Sequence, residues 1–203
     1  MRRPMRVLAS VAMFGLAACD RAPPAGDSMA PEAKAAAPAA AGAGAPDAEL
    51  EQLKAVVPVD ACATLTPETL KAVYPDLTFE VHQTVAPQMS GYVWDSRCVY
   101  RAGVGTIDFA SDAPTHTVEL FVATAANEAR ARANLASRRD MATTTSGYQP
   151  QAALGENAYT TTDTGMAHLF FVKGQSEFQL NVSDLNSPNA EKVQKALALA
   201  RSL

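Results

Sequence analysis

Three histidines, His82, His116 and His168, are the side chains best suited to ligate a metal or carry a proton near neutral pH. A metal site draws its ligands from short spacings or adjacent strands, and these three stand far apart, with no H-x-H or H-E-x-x-H pattern. His82 falls on the polar side of an expected strand and reads as a surface histidine. A serine nucleophile of the α/β-hydrolase kind would sit in G-x-S-x-G at a strand-to-helix turn. The nearest stretch, Gly174-Gln175-Ser176-Glu177, breaks that pattern and falls in an expected hairpin. Gly103-Val104-Gly105 is too short for a phosphate loop and lacks a following Gly-Lys-Ser/Thr, so a flexible turn is expected. Asp108 and Asp112 could serve as an acid and a base, but nothing places them around a cleft, and loop solvation accounts for them. On these grounds no catalytic residue, metal ligand or cofactor is assigned.

Two features could serve binding instead. Tyr92, Trp94 and Tyr100 cluster beside Cys98, and aromatic rings at the mouth of a fold can stack a ligand or anchor a partner. Packing over a bridge between Cys62 and Cys98 is the plainer account of the same three rings. Arg130, Arg132, Arg138 and Arg139 decorate one expected helix and could face anionic lipid headgroups. Glu128 and Asp140 dilute that patch, so a solvated helix face is favoured.

The elements that must position these residues begin with the chain's own targeting. At 203 residues and 48% hydrophobic, the chain suits one globular domain with something to spare. Met1 to Arg6 forms a short cationic segment, and Val7 to Ala18 follows as an apolar stretch too short to span a bilayer, which needs roughly 20 residues. It ends Leu16-Ala17-Ala18-Cys19, which resembles the lipobox of bacterial lipoprotein precursors. The resemblance implies that residues 1–18 are a signal peptide cut before Cys19. The Cys19 thiol would then carry diacylglycerol, and the new amino terminus a fatty acyl chain such as palmitate. Two or more chains give stable membrane attachment where one is marginal. An ordinary secretory signal with a chance cysteine is the alternative; the complete order of cationic, apolar and small residues speaks against it. The residues after Arg2-Arg3 do not fit a twin-arginine signal, so general secretion is expected. Asp20 resembles the inner-membrane retention signal of enteric bacteria, implying the periplasmic face of the inner membrane in a Gram-negative cell, and otherwise the outer membrane or cell surface.

From Cys19 to Pro46 the composition turns to Ala, Pro and Gly, which cannot offset ordering entropy, and a disordered tether spanning about 30 Å is expected. Loss of Arg2, Arg3 and Arg6 takes the formal charge from -4 to -7, and no basic run interleaved with aromatics argues for nucleic acid. With Cys19 set apart, Cys62 and Cys98 remain, an even number in an oxidising compartment, and a disulfide between them is expected over two separate thiols.

Residues 47–58 carry Leu50, Leu53 and Val57 at helical spacing, a short helix or a frayed stub at the domain edge. Residues 59–203 form the globular domain. Thr66-Pro67-Glu68 starts a helix with an N-cap, a first-turn proline and a first-turn carboxylate, and Pro75 stops it. Alternation marks strands at Phe79–Val85, Val118–Val122 and Phe178–Val182, half-exposed and antiparallel, with Met166–Val172 turned into the last by Gly174. Asn127–Asp140 reads as a helix packing through Ala129, Ala133, Leu135 and Ala136. Ser187-Pro188 caps a final helix striped by Val193, Ala196, Leu197 and Ala200. The order helix, strands, helix, strands, helix predicts an α+β domain, one antiparallel sheet with helices packed on it. Cys62-Ala63-x-Leu65-Thr66-Pro67-Glu68, Cys98-x-Tyr100, Leu154-Gly155-Glu156-x-Ala158-Tyr159 and Leu169 to Gly174 resemble small bacterial lipoproteins of unknown function with a PsbP-type α/β sandwich. The resemblance covers about two-thirds of the chain and implies a fold rather than an activity.

A membrane-anchored envelope domain with a binding or accessory role is the favoured expectation, its partners the membrane itself and an envelope protein or small ligand. An envelope hydrolase or other enzyme with a site assembled only in the fold is the alternative. Cys19→Ser is expected to leave the protein exported but unable to incorporate labelled fatty acid, and incorporation at the wild-type level would refute the lipid anchor.

Overall fold

A computed structural model describes residues 46–107 and 110–203, and the side chains of 47–103 and 114–203. The signal peptide 1–18, Cys19, Asp20 and the expected tether before Pro46 lie outside the described residues, as do Asp108 and the side chain of Asp112. The element order is α1 (Pro46–Lys54), α2 (Ala61–Thr64), α3 (Pro67–Val73), β1 (Glu80–Ser90), β2 (Val93–Ile107), β3 (Ala110–Thr124), α4 (Glu128–Ala142), β4 (Gln149–Pro150), β5 (Tyr159–Thr162), β6 (Met166–Lys173), β7 (Ser176–Asp184) and α5 (Asn189–Ser202). The strands form one seven-stranded sheet in the order β1-β2-β3-β7-β6-β5-β4, with every pairing antiparallel. The α+β architecture expected from the pattern is present.

Alternate residues of the central strands make the core. Val118, Leu120 and Val122 of β3 lie opposite Val182, Leu180 and Phe178 of β7, and all six are buried. They pack with Leu65 after α2, Leu70 of α3 and Ala196 and Leu199 of α5. The stripe Val193, Ala196, Leu197 and Ala200 is buried as the spacing requires. Cys62 and Cys98 are disulfide-bonded across 5.0 Å between Cα atoms, fastening α2 to β2. The Asp60 carboxylate accepts from the Cys62 and Ala63 amides at 2.8 and 3.0 Å, and so caps the helix that carries one end of the bridge. Thr66 caps α3 through the Thr69 amide, as its position ahead of Pro67 predicts.

Several expectations are corrected. Leu135 is buried in α4, but its partner is Ala131, four residues earlier; Ala129 and Ala133 are exposed. A leucine buries far more apolar area than an alanine, so Leu135 decides which face turns inward. That face lies over the other side of the sheet: Arg138 of α4 reaches Glu177, whose place in β7 alternates with Phe178 and Leu180. The last strand is therefore largely buried on both faces, with Glu177 and Asn181 nearly inaccessible, rather than half-exposed. β1 does not alternate cleanly. It is an edge strand with irregularities between Val81 and Gln83 and between Val85 and Gln88, which leave Val81 exposed. α1 ends at Lys54, so Val57 is 85% exposed while Leu53 is fully buried. Gly103-Val104-Gly105 runs inside β2 rather than turning.

Because the bridge closes a 36-residue separation, replacing both Cys62 and Cys98 by alanine is expected to lower the unfolding free energy by about 4 kcal/mol, read from urea denaturation. Free, alkylatable thiols at both positions in the unreduced wild-type protein would contradict the bridge itself.

Candidate functional site

The three aromatic rings do not form a common surface. Tyr100 is buried, and its hydroxyl donates to the Leu65 carbonyl at 2.6 Å, tying β2 to the turn between α2 and α3. The Trp94 indole donates to the Leu53 carbonyl at 3.0 Å, which pins α1 to the sheet. Tyr92 alone is exposed, in the turn between β1 and β2. Packing, not ligand stacking, accounts for Trp94 and Tyr100. The arginines of α4 are likewise committed. Arg130 pairs with Glu49 at 3.1 Å, Arg132 with Glu128 at 2.5 Å, Arg138 with Glu177 at 3.2 Å and Arg139 with Asp140 at 2.7 Å, so each of the four has a carboxylate partner.

The fold brings two of the three histidines to carboxylates. On the face covered by α5, Asp184 is a buried hub: its Oδ2 accepts from Ser187 Oγ at 2.6 Å and Lys195 Nζ at 3.0 Å, and lies 3.3 Å from His116 Nε2. Its Oδ1 accepts from the Asn186 amide at 3.0 Å. Ser187 thus holds Asp184 instead of capping α5, which has no side-chain cap. The Tyr74 ring lies 5.0 Å beneath the Lys195 ammonium. Burial pushes the Asp184 carboxyl up, but the hydrogen bonds from Ser187, Lys195 and the Asn186 amide, with His116 nearby, outweigh it and hold the carboxyl well below its usual range. Serine, aspartate and histidine in contact invite comparison with a hydrolytic triad. A triad needs the imidazole between hydroxyl and carboxylate. Here the carboxylate is in the middle, with Lys195 Nζ also 3.5 Å from Ser187 Oγ, so the order of a Ser-His-Asp triad is not present.

On the opposite face a second network crosses four strands. Arg97 of β2 pairs with Glu119 Oε1 of β3; Asn181 of β7 donates from Nδ2 to Glu119 Oε2 at 3.1 Å. The Asn181 carbonyl oxygen accepts from Gln179 at 3.1 Å and meets His168 Nδ1 of β6 at 2.8 Å, and His168 Nε2 lies 3.0 Å from Asp163 Oδ2. The donors and acceptors of this chain meet one another, which suits a brace across the sheet better than a proton relay.

A cleft of about 350 Å³ opens where β1 begins beside β2, lined by Thr78, Glu80, His82, Arg101, Gly103 and Pro114. That volume falls in the range of small-molecule sites. It gathers a hydroxyl, a carboxylate, an imidazole and a guanidinium. Among the described residues no side-chain hydrogen bond or ion pair joins any of these four groups to another. This is what separates the cleft from the two networks, whose polar groups are already paired. Sequence spacing carries part of the signal, since Glu80 and His82 are two residues apart, but Arg101 joins them only through the register that sets it opposite Glu80.

Among the described residues no cluster of histidine, cysteine and carboxylate could hold a metal ion, and no helix is long and apolar enough to cross a membrane. No protein-family profile and no curated protein sequence matches the chain. Among solved structures it is similar to the extracellular domain of PknH from Mycobacterium tuberculosis, at 12% identity over 75% of this chain and 94% of that one, with a TM-score of 0.50. At that identity the likeness is one of fold.

The depressed Asp184 carboxyl contributes stability that is present above its unfolded value of about 4 and is lost as pH falls below it. Glu177 acts in the other sense, because burial raises its carboxyl against the opposing pull of Arg138, and its cost is relieved on acidification. Asp184→Asn is expected to lower stability at pH 7 by about 3 kcal/mol, since it strips the counter-charge from Lys195 and His116, and to flatten the loss of stability below pH 4. Urea denaturation across pH 2.5–7 checks both, and a variant with the wild-type slope would show that Asp184 is not the titrating hub.

Proposed function

We propose that this chain is an exported, lipid-anchored domain of the bacterial cell envelope that acts by binding rather than by catalysis. The observation that carries the binding half is the cleft at Glu80, His82 and Arg101, whose charged groups have no partner among the described residues while those of the two internal networks are paired. The disulfide between Cys62 and Cys98 supports an oxidising compartment. The likeness to a domain described as extracellular agrees with it. Lipidation at Cys19 supplies the anchor, and the stretch after it the reach, so that an anchored partner or released ligand is met at raised local concentration. Asp20 favours the periplasmic face of the inner membrane if the cell is Gram-negative, and membership among the small lipoproteins with a PsbP-type domain belongs to the same proposal.

The test uses the histidine–carboxylate contact of His168 with Asp163, whose carboxylate is exposed and so could meet a substrate. His168→Ala and Asp163→Asn, with folding checked by circular dichroism, are expected each to restore the envelope phenotype of a deletion strain. Loss of function in both well-folded variants would overturn the non-catalytic proposal.

A further inference from the structure

We infer that the cleft at the start of β1 binds a small zwitterion of the α-amino acid or dipeptide class, with Arg101 holding the carboxylate and Glu80 the ammonium. The inference rests on the binding role proposed above and adds the ligand's chemistry.

Three independent features meet at this cleft. The first is charge. Arg97, four residues before Arg101 on the same strand face, is paired with Glu119, and the arginines of α4 all meet carboxylates. Arg101 meets none among the described residues, although register sets it opposite Glu80. Residues directly opposite in an antiparallel pair have Cβ atoms about 5 Å apart, so an arginine and a glutamate placed this way are able to join. Left apart, they present a positive and a negative group on the lining of one cleft, the two charges that a zwitterion carries. The second feature is the break in register between Val81 and Gln83, which takes His82 out of the ladder at the cleft. Such irregularities re-aim side chains and are frequent beside functional sites. The third is Gly103, which has φ 70° inside a strand. A Cβ there would lie 2.1 Å from Thr115 Oγ1, a hydroxyl already bonded to the Ala102 carbonyl at 3.2 Å and in contact with His116 Nδ1 at 2.8 Å. Only glycine fits, because the Thr115 side chain takes the space a Cβ would need, and the cleft wall at this point is therefore backbone without a side chain.

The lining selects the ligand. A guanidinium forks onto a carboxylate through two parallel N–H donors. A dianion would meet the Glu80 carboxylate, and a bare amine would meet Arg101; a molecule carrying both charges satisfies both. Thr78 and His82 add polar contacts, while Val81, Ala102 and Pro114 leave an apolar wall for a small side chain.

Titration of the mature protein with L-alanine, D-alanine and L-alanyl-L-alanine, followed by amide and guanidinium NMR shifts, tests the inference. At least one probe is expected to give saturable shifts at Gly103 and Arg101. N-acetylalanine and alaninamide, each lacking one charge, should bind at least about tenfold more weakly, as should Arg101→Gln and Glu80→Gln with the intact probe. Arg201→Gln, at the end of α5, should bind as the wild type does. Absence of saturable shifts with all three zwitterions would overturn the inference. So would inorganic phosphate or acetate binding more tightly than any of them, or Glu80→Gln strengthening the affinity. Either result would leave lipidation at Cys19 and the phenotype of the histidine variants untouched, so the envelope proposal stands or falls separately.

Discussion

The pairing of β3 with β7 joins two antiparallel ladders, β1-β2-β3 and β4-β5-β6-β7, that are separated in sequence by α4. Closing it brings residues some 60 positions apart into register, Leu120 opposite Leu180 and Val118 opposite Val182. The entropy of closing such a loop grows only slowly with its length, and the buried apolar face on both strands offsets it. Without this contact neither ladder could cover its own apolar side, and α5 would have no sheet to lie on.

Both polar networks hang on the same register. His116 stands opposite Asp184 on the α5 side, and Glu119 stands opposite Asn181 on the other. Three residues separate the two pairs along each strand, so they fall on opposite faces, and a slip of one residue would exchange the faces and disperse both sets. The networks therefore serve the fold twice. They satisfy groups that burial would otherwise penalise, and they penalise every other register by leaving a carboxylate unpartnered.

The cleft lies where β1 begins, and its Arg101 and Ala102 pair with Thr117 and His116 at the end of the β3–β7 ladder. There the edge strand departs from regular pairing, a glycine of the neighbouring strand takes a positive φ, and charged groups have no ion-pair partner among the described residues. Edge irregularities also discourage further strands from adding to the sheet, so the same departures that shape the cleft protect an exposed edge. The disulfide sits closer to the core on β2 and keeps α2 in place, which leaves the rim free to vary without loosening the helical layer.

Local chemistry was enough to read much of this protein. The alternation of Val118, Leu120 and Val122, the cap at Thr66-Pro67, the stripe along α5 and the pairing of Cys62 with Cys98 all follow from short-range rules of period, capping and compartment. What those rules could not reach is contact between distant segments. His116 and Asp184 are 68 positions apart, and no spacing rule connects them. For Trp94 and Tyr100 the sequence favoured packing and left a ligand contact open, and the fold settles which carbonyl each indole or hydroxyl meets. The face of α4 was misjudged because four alanines carry almost no preference, and the sheet chose the side with Leu135. Arg101 joins Glu80 and His82 only because an antiparallel register folds β2 back along β1. Periodicity is a property of neighbours along the chain; which strand lies beside which, and so which charges are paired or left open, is settled by the burial of both faces of the sheet at once.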